Sequence, residues 1–355
     1  MKIQSLTTWK EHFPLTKPYT IAYETFDQVE NIFVRLDAED GSFGIGVASP
    51  APDVTGESAL DCQHALNQYL EPLLRGRDIR HLRTLLREMA RHMPSTPAAL
   101  AAVDMALHDL LAKVLGLPLV DLLGRCHESL VTSVTIGISS IQETLEEASA
   151  YLKQGFKILK IKIGNDLDED VERLFRLREH VGRHTPLRVD INQGYSREAF
   201  GVFVQKTAPI DLEFTEQPLK HDDIQGMFTV PESVRKKVAA DESLHGVADA
   251  LKLAVSPQPF GIFNIKLMKC GGIAPGIQIA DIAHIVGIDV MWGCMDVSVV
   301  GISAALHAAL SSPATRYLDL DGHLDLSRDI AEGGFRVQAG RLYTLDQPGL
   351  GIRLN

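Results

Sequence analysis

The sequence is poor in aromatic side chains: with two Trp, seven Tyr and 13 Phe they make up 6% of 355 residues. It is also poor in cysteine. Cys62, Cys126, Cys270 and Cys294 are 64, 144 and 24 positions apart, so there is no C-x-x-C pair and no zinc-ligand spacing. Unreactive thiols in a reducing compartment are the expectation, and with it a cytoplasmic protein. No excess of positive charge exists. Lys and Arg number 35 against 46 Asp and Glu, a net charge of −11, which disfavours a nucleic-acid or anionic-membrane surface. Long apolar runs are missing too. The stretch 297–310 is too short to cross a bilayer and contains His307, and the first residues carry no apolar signal-peptide core.

What is present is an ordinary globular composition, 45% hydrophobic and 23% charged, with 28 glycines. Length predicts about two domains. Residues 31–49 alternate apolar and polar positions around Asp40-Gly41, a hairpin pattern. Residues 97–115 carry apolar side chains at helical spacing, with alanines suited to close packing. From 131 onward, short β-branched runs alternate with helical segments. Expected strands lie at 131–138, 156–164, 186–192, 211–218, 236–243, 262–269, 287–294 and 315–322. Residues near their ends, Lys162, Asp190, Glu216, Asp241, Lys266, Cys294 and Asp319, are spaced by 28, 26, 25, 25, 28 and 25. A near-constant period of this size predicts stacked βα units closing as a TIM-type α/β barrel. A doubly wound open sheet would place a G-x-G-x-x-G loop after its first strand, and none occurs. Gly271 and Gly272 read as a tight βα turn. The expected organisation is an α+β capping unit over 1–125, a barrel over 126–322, and a segment over 323–355 that packs back on the cap and includes a hairpin at 332–345.

In such a barrel the carboxyl ends of the strands carry the chemistry. Asp190, Glu216 and Asp241 end three successive strands, and their convergence requires a cation. Oxygen donors without His or Cys favour Mg²⁺ over Zn²⁺. Asn192 is either a polar supporter or a plain turn residue. Lys160 and Lys162 share one strand face, while Leu159, Ile161 and Ile163 face the helices. The two lysines are expected to lower each other's pKa. Lys266 approaches from the far side, so one lysine on each face of a metal site suggests proton removal on one face and return on the other. Lys269 reads as a loop cation past the strand end. Asp319 and Asp321 share a face and suit an ammonium group.

The set K-I-K (160–162), D-I-N-Q (190–193), E-Q-P (216–218), A-D-E-S (240–243), N-I-K-L-M-K-C-G-G (264–272) and D-L-D-G (319–322) resembles the enolase superfamily, muconate-lactonizing subgroup, and within it the dipeptide epimerases. The resemblance covers nearly the whole chain. It implies a modified (β/α)₇β barrel with an N-terminal cap completed by the C-terminal tail. It also implies Mg²⁺ on Asp190, Glu216 and Asp241, and Lys162 and Lys266 as the two acid/base groups, acting through a metal-stabilised enolate. Lys160 is then the electrostatic partner beside them, with Asp319 and Asp321 holding the dipeptide ammonium. The implied partner is a small dipeptide, and a homo-oligomer is compatible with the resemblance.

Two departures stand out. Glu24 falls where Ala-Glu epimerases of the family carry an Arg, and Val297 replaces the Glu of a C-M-x-E-S loop. Glu24, with Asp53 and Asp296, predicts cationic or neutral dipeptides in preference to Ala-Glu. An L-Ala-D/L-Glu epimerase, a cycloisomerase or o-succinylbenzoate synthase on the same fold, and a non-catalytic metal-binding barrel are the alternatives.

Overall fold

The computed structural model describes the backbone of residues 1–20 and 25–355 and the surroundings of side chains other than those of 18–26. Three antiparallel strands open the chain: β1 (Ile3–Thr20), β2 (Thr25–Ala38) and β3 (Phe43–Ala48), in the order β1-β2-β3. The β2–β3 connection is the hairpin expected around Asp40-Gly41, with Asp37 opposite Phe43. Helices follow: α1 (Pro52–Thr55), α2 (Ala59–Leu74), α3 (Leu82–His92), α4 (Pro97–Leu115) and α5 (Leu119–Leu123).

Helix α4 lies directly on β3, and composition explains how. A Cβ on Gly44 would stand 2.0 Å from the Ala106 carbonyl, and one on Gly46 1.9 Å from that of Ala102. Only glycines on the strand facing alanines on the helix permit this approach.

After the short β4 (Leu130–Val131) come eight strands separated by helices. They are β5 (Ser133–Ile136), β6 (Ile158–Lys162), β7 (Leu187–Asp190), β8 (Phe214–Glu216), β9 (Val238–Ala240), β10 (Ile262–Ile265), β11 (Asp289–Gly293) and β12 (Thr315–Asp319). They pair in parallel in sequence order, and each falls inside one of the eight expected runs. Leu159, Ile161 and Ile163 are fully buried, as alternation required. The helices between them are α6 (Ile141–Lys153), α7 (Leu167–Val181), α8 (Arg197–Thr207), α9 (Glu232–Arg235), α10 (Val247–Leu253), α11 (Leu267–Cys270), α12 (Ile273–Val286) and α13 (Val299–Leu310).

The ring is nearly closed. Between β5 and β12 the join is made by side chains as well as by a bridge at Thr132 and Leu318. Ser133 Oγ donates to Asp319 Oδ1 at 2.6 Å, Thr135 N donates to Asp321 Oδ2 at 2.6 Å, and Leu320 N donates to Thr132 Oγ1 at 2.9 Å.

The last residues form β13 (Ala331–Gly333), β14 (Phe335–Gln338), β15 (Arg341–Thr344) and β16 (Ile352–Leu354). β14 and β15 make a hairpin, and β15 adds to β4. Leu350 N donates to Asp109 Oδ1 on α4 at 2.8 Å, and Leu119 N donates to the Gly349 carbonyl at 2.8 Å. Among the described residues no helix is long and apolar enough to cross a membrane.

Candidate active site

β7 and β8 end on Asp190 and Glu216, while Asp241 and Lys266 each follow the last residue of β9 and β10. Lys160 and Lys162 occupy alternate positions on β6. In a ring of eight strands, β6 and β10 are four steps apart, so Lys162 and Lys266 rise from opposite walls. The three carboxylates sit on the strands between them. All three are at most 2% exposed. Lys160 Nζ reaches Asp319 Oδ2 at 2.7 Å, Glu216 Oε2 at 2.8 Å and Asp190 Oδ2 at 3.3 Å. Lys162 Nζ lies 3.1 Å from Asp190 Oδ2, and Lys266 Nζ 2.8 Å from Asp241 Oδ2.

This charge arrangement corrects one expectation. The neighbouring Lys162 does not leave Lys160 neutral. Burial would depress Lys160, but Asp319, Glu216 and Asp190 outweigh it and hold the ammonium well above its usual range. Burial likewise pushes Asp190 up, yet Lys162 and Lys160 keep it below a normal aspartate. Asp241 is also held low, by Lys266 and Lys269 against its burial. Glu216 goes the other way: burial and the neighbouring Asp190 raise it to about 8.

Lys269 is a second correction. It is not a loop cation. It lies on α11, 3% exposed, paired with Asp241 Oδ1 and donating to the Asp241 carbonyl at 2.6 Å. Asn192 serves in both of its suggested capacities. Its φ of 44° makes the turn after β7, and its carboxamide accepts from Lys162 Nζ at 3.0 Å.

The donor set fits a hard divalent cation. Three buried carboxylates stand at one barrel mouth with oxygen donors alone, and Glu216 Oε2, fully enclosed, has the Lys160 ammonium at 2.8 Å but no aligned hydrogen bond. As the side chains stand, the lysines neutralise these oxygens, and among the described residues no three acidic, His or Cys side chains already close around a common point. Asp190, Glu216 and Asp241 are the residues that would hold the ion.

Above the mouth is a cavity of about 920 Å³. Asp53 on α1, together with Asp296, Asp319 and Asp321, lines it as expected; Glu24 lies outside the described residues. Asp319 has both oxygens engaged, by Ser133 and by Lys160. Asp321 gives one oxygen to Thr135 N. Burial and Asp319 raise Asp321 to about 7.

Sequence reasoning missed further acids of this wall, among them Glu147 and Asp325. Burial raises Asp325 to about 8, with added repulsion from Asp321, Asp296 and Glu147. Glu147 is paired with Lys17 at 3.0 Å, whereas among the described residues no cation pairs with the Asp325 carboxylate. Their one sequence signal was an acidic residue in each of two segments flanking the barrel strands.

Val297 also finds its explanation. It is 2% exposed and packs beside Gly301, which Val47 of the cap also approaches, so a Glu there would bury a charge. Its loop is fixed instead by the cap: Ser298 N donates to Asn31 Oδ1 at 3.0 Å, and Ser49 Oγ donates to the Asp296 carbonyl at 3.0 Å.

An eight-stranded barrel with a basic residue on each side of three strand-end carboxylates, roofed by an α+β cap, defines an enolase-type protein. The chain belongs to the mandelate racemase / muconate lactonizing enzyme family: residues 3–124 match its N-terminal domain and residues 143–355 the enolase C-terminal domain-like family. Over 353 residues, 99% of both chains, it is 56% identical to an L-Lys-D/L-Arg epimerase of Desulforapulum autotrophicum. It is 34% identical to an L-Ala-D/L-Glu epimerase of Bacillus subtilis, with 99% of this chain and 97% of that one covered. A dipeptide epimerase of Methylococcus capsulatus, solved with Mg and L-Arg-D-Lys, superposes with a TM-score of 0.97 at 51% identity, over 99% of each chain.

Proposed function

We propose that this protein is a Mg²⁺-dependent dipeptide epimerase that inverts the α-carbon of the C-terminal residue and favours cationic dipeptides. The observation that carries the reading is the pair Lys162 and Lys266 on opposite walls, with Asp190, Glu216 and Asp241 between them. An α-carbon held between the two lysines exposes one face to each. The neutral amine of one lysine takes the α-proton, and the ammonium of the other returns a proton to the opposite face, so the product differs only in configuration. When bound, Mg²⁺ supplies positive charge that acidifies the carbon next to the substrate carboxylate. Lys160, kept charged by its three acidic neighbours, adds a fixed cation beside that carboxylate. Asp321 receives the dipeptide ammonium, and Asp319 supports Lys160.

The preference for cationic side chains rests on the wall. Asp53, Asp296 and Asp325 are carried by three separate segments of the chain and line one cavity, and a Lys or Arg side chain offsets the burial, and the added acidic repulsion, that raise Asp325. Relatives that act on Lys-Arg dipeptides at 51% and 56% identity support the same choice. The cysteines are all free thiols, in keeping with work in the cytoplasm.

The test is a dipeptide library incubated with the protein and Mg²⁺ in D₂O, read by mass for α-deuterium. Fastest exchange with Lys- or Arg-containing dipeptides is expected. Fastest exchange with Ala-Glu overturns the cationic preference, and no α-carbon exchange with any dipeptide overturns the epimerase reading. The superfamily's cycloisomerase chemistry would instead leave Asp321→Asn nearly as active as the unmodified protein.

A further inference from the structure

The two candidate bases are not held alike. Lys266 is placed by Asp241, which Lys269 also engages from the other side. Lys162 is placed by Asp190 and by a neutral group, the carboxamide of Asn192. An ammonium has no acceptor, so Oδ1 of Asn192 must face Lys162, at 3.0 Å. Its Nδ2 then points the other way, to Glu242 Oε1 at 3.3 Å. The Asn192 backbone N–H donates to Asp190 Oδ1 at 3.0 Å, which ties the turn to the end of β7. The amide is 6% exposed and stands at φ 44°, a left-handed conformation that Asn tolerates better than most residues. Strained, buried and bonded at both ends, this side chain has one orientation.

We infer that Asn192 is a positioning residue for one half of the reaction only. It locks Lys162 against the substrate, with Glu242 as its backstop, and does nothing for Lys266. Asp190 is a shared carboxylate, also within reach of Lys160 and a candidate ligand of the divalent ion. Asn192 is the partner of Lys162 that carries no charge and that no other lysine touches. This assignment rests on the two-lysine epimerase reading and adds an asymmetry to it.

The experiment follows α-proton exchange in D₂O separately from the two epimers of a Lys-Arg dipeptide at early times. Lys162→Ala and Lys266→Ala define which epimer each lysine deprotonates. Asn192→Ala and Asn192→Gly are then compared with the unmodified protein; the glycine variant keeps the left-handed turn without strain, and melting temperatures verify that both fold. The expected result is a loss of about ten- to a hundred-fold in exchange of the epimer assigned to Lys162, the scale of a base misplaced by about 1 Å. Exchange of the epimer assigned to Lys266 stays within about twofold. Equal losses for both epimers, a loss confined to the Lys266 epimer, or no loss overturns the assignment while leaving the epimerase reading in place. Absence of exchange in the unmodified protein overturns the epimerase reading and the assignment together.

Discussion

Asp319 and Asp321 are two residues apart, yet Lys160 pairs with the first alone, and the second lines the cavity with one oxygen on Thr135 N and the other facing only the weak Cys294 thiol donor at 3.9 Å. Replacing Asp321 by Asn retains an acceptor for Thr135 N and removes the charge. We expect kcat/KM for a dipeptide to fall by about ten- to 150-fold, the range of one charge-assisted hydrogen bond, with little change in melting temperature. Asp325 gives a pH signature. Its pKa of about 8 in the folded protein is above that of an unfolded aspartate, so the proton favours the fold. Its contribution to stability is therefore full at low pH and is lost as pH rises through about 8. Asp325→Asn should raise the melting temperature of the substrate-free protein at pH 8.5, with the difference vanishing near pH 4. In the unmodified protein KM for a Lys-Arg dipeptide should fall as pH rises from 6 to 8.5, more steeply than KM for Ala-Ala, and the asparagine variant should flatten that difference. Residues at strand ends were legible in the sequence because the chain repeats them at equal spacing. Lys269, Glu147 and Asp325 were not, since their placement depends on how a short helix, a long helix and a loop rotate about the barrel, which leaves no periodic trace.

At the scale of elements, the interface of β3 and α4 tolerates no added atom. Gly46→Ala would drive a methyl into the Ala102 carbonyl. Denaturant unfolding should show a loss of about 1–3 kcal/mol, while the more exposed Gly201→Ala on α8, which meets nothing, should be neutral or stabilising. The eight barrel strands were legible because parallel strands buried on both faces read as short aliphatic runs. The 18-residue β1 was not: Ile3–Thr20 contains Pro14 and Pro18 and mixes charged with aromatic residues, so its length comes from pairing with β2 rather than from its own pattern.

The whole molecule is tied together by buried aspartates of α4. Asp104 caps α12 through Ile273 N at 2.7 Å, and Asp109 accepts from Ile45 N at 2.9 Å and Leu350 N at 2.8 Å. One helix of the cap thus holds barrel, cap sheet and tail. If Asp190, Glu216 and Asp241 bind Mg²⁺, saturating metal should raise the melting temperature by a few degrees, about 3 kcal/mol at a hundredfold excess over Kd. EDTA should reverse the shift, and Glu216→Gln should abolish most of it in a thermal-shift assay.

The join between β5 and β12 has a further meaning when the chain is considered as it is made. Thr132, Ser133 and Thr135 are translated early, but their partners Leu320, Asp319 and Asp321 come about 190 residues later. Until then the growing barrel is an open, curved sheet with a bare edge at β5, and Leu130 of β4 waits longer still for Leu342. The last barrel strand must therefore be made before the ring can shut, and the side chains that shut it include the two aspartates of the proposed substrate site. A nascent chain that fails at this step exposes an unpaired strand and leaves the proposed ammonium-binding group out of place at the same time, so on that reading misassembly and inactivity arrive together.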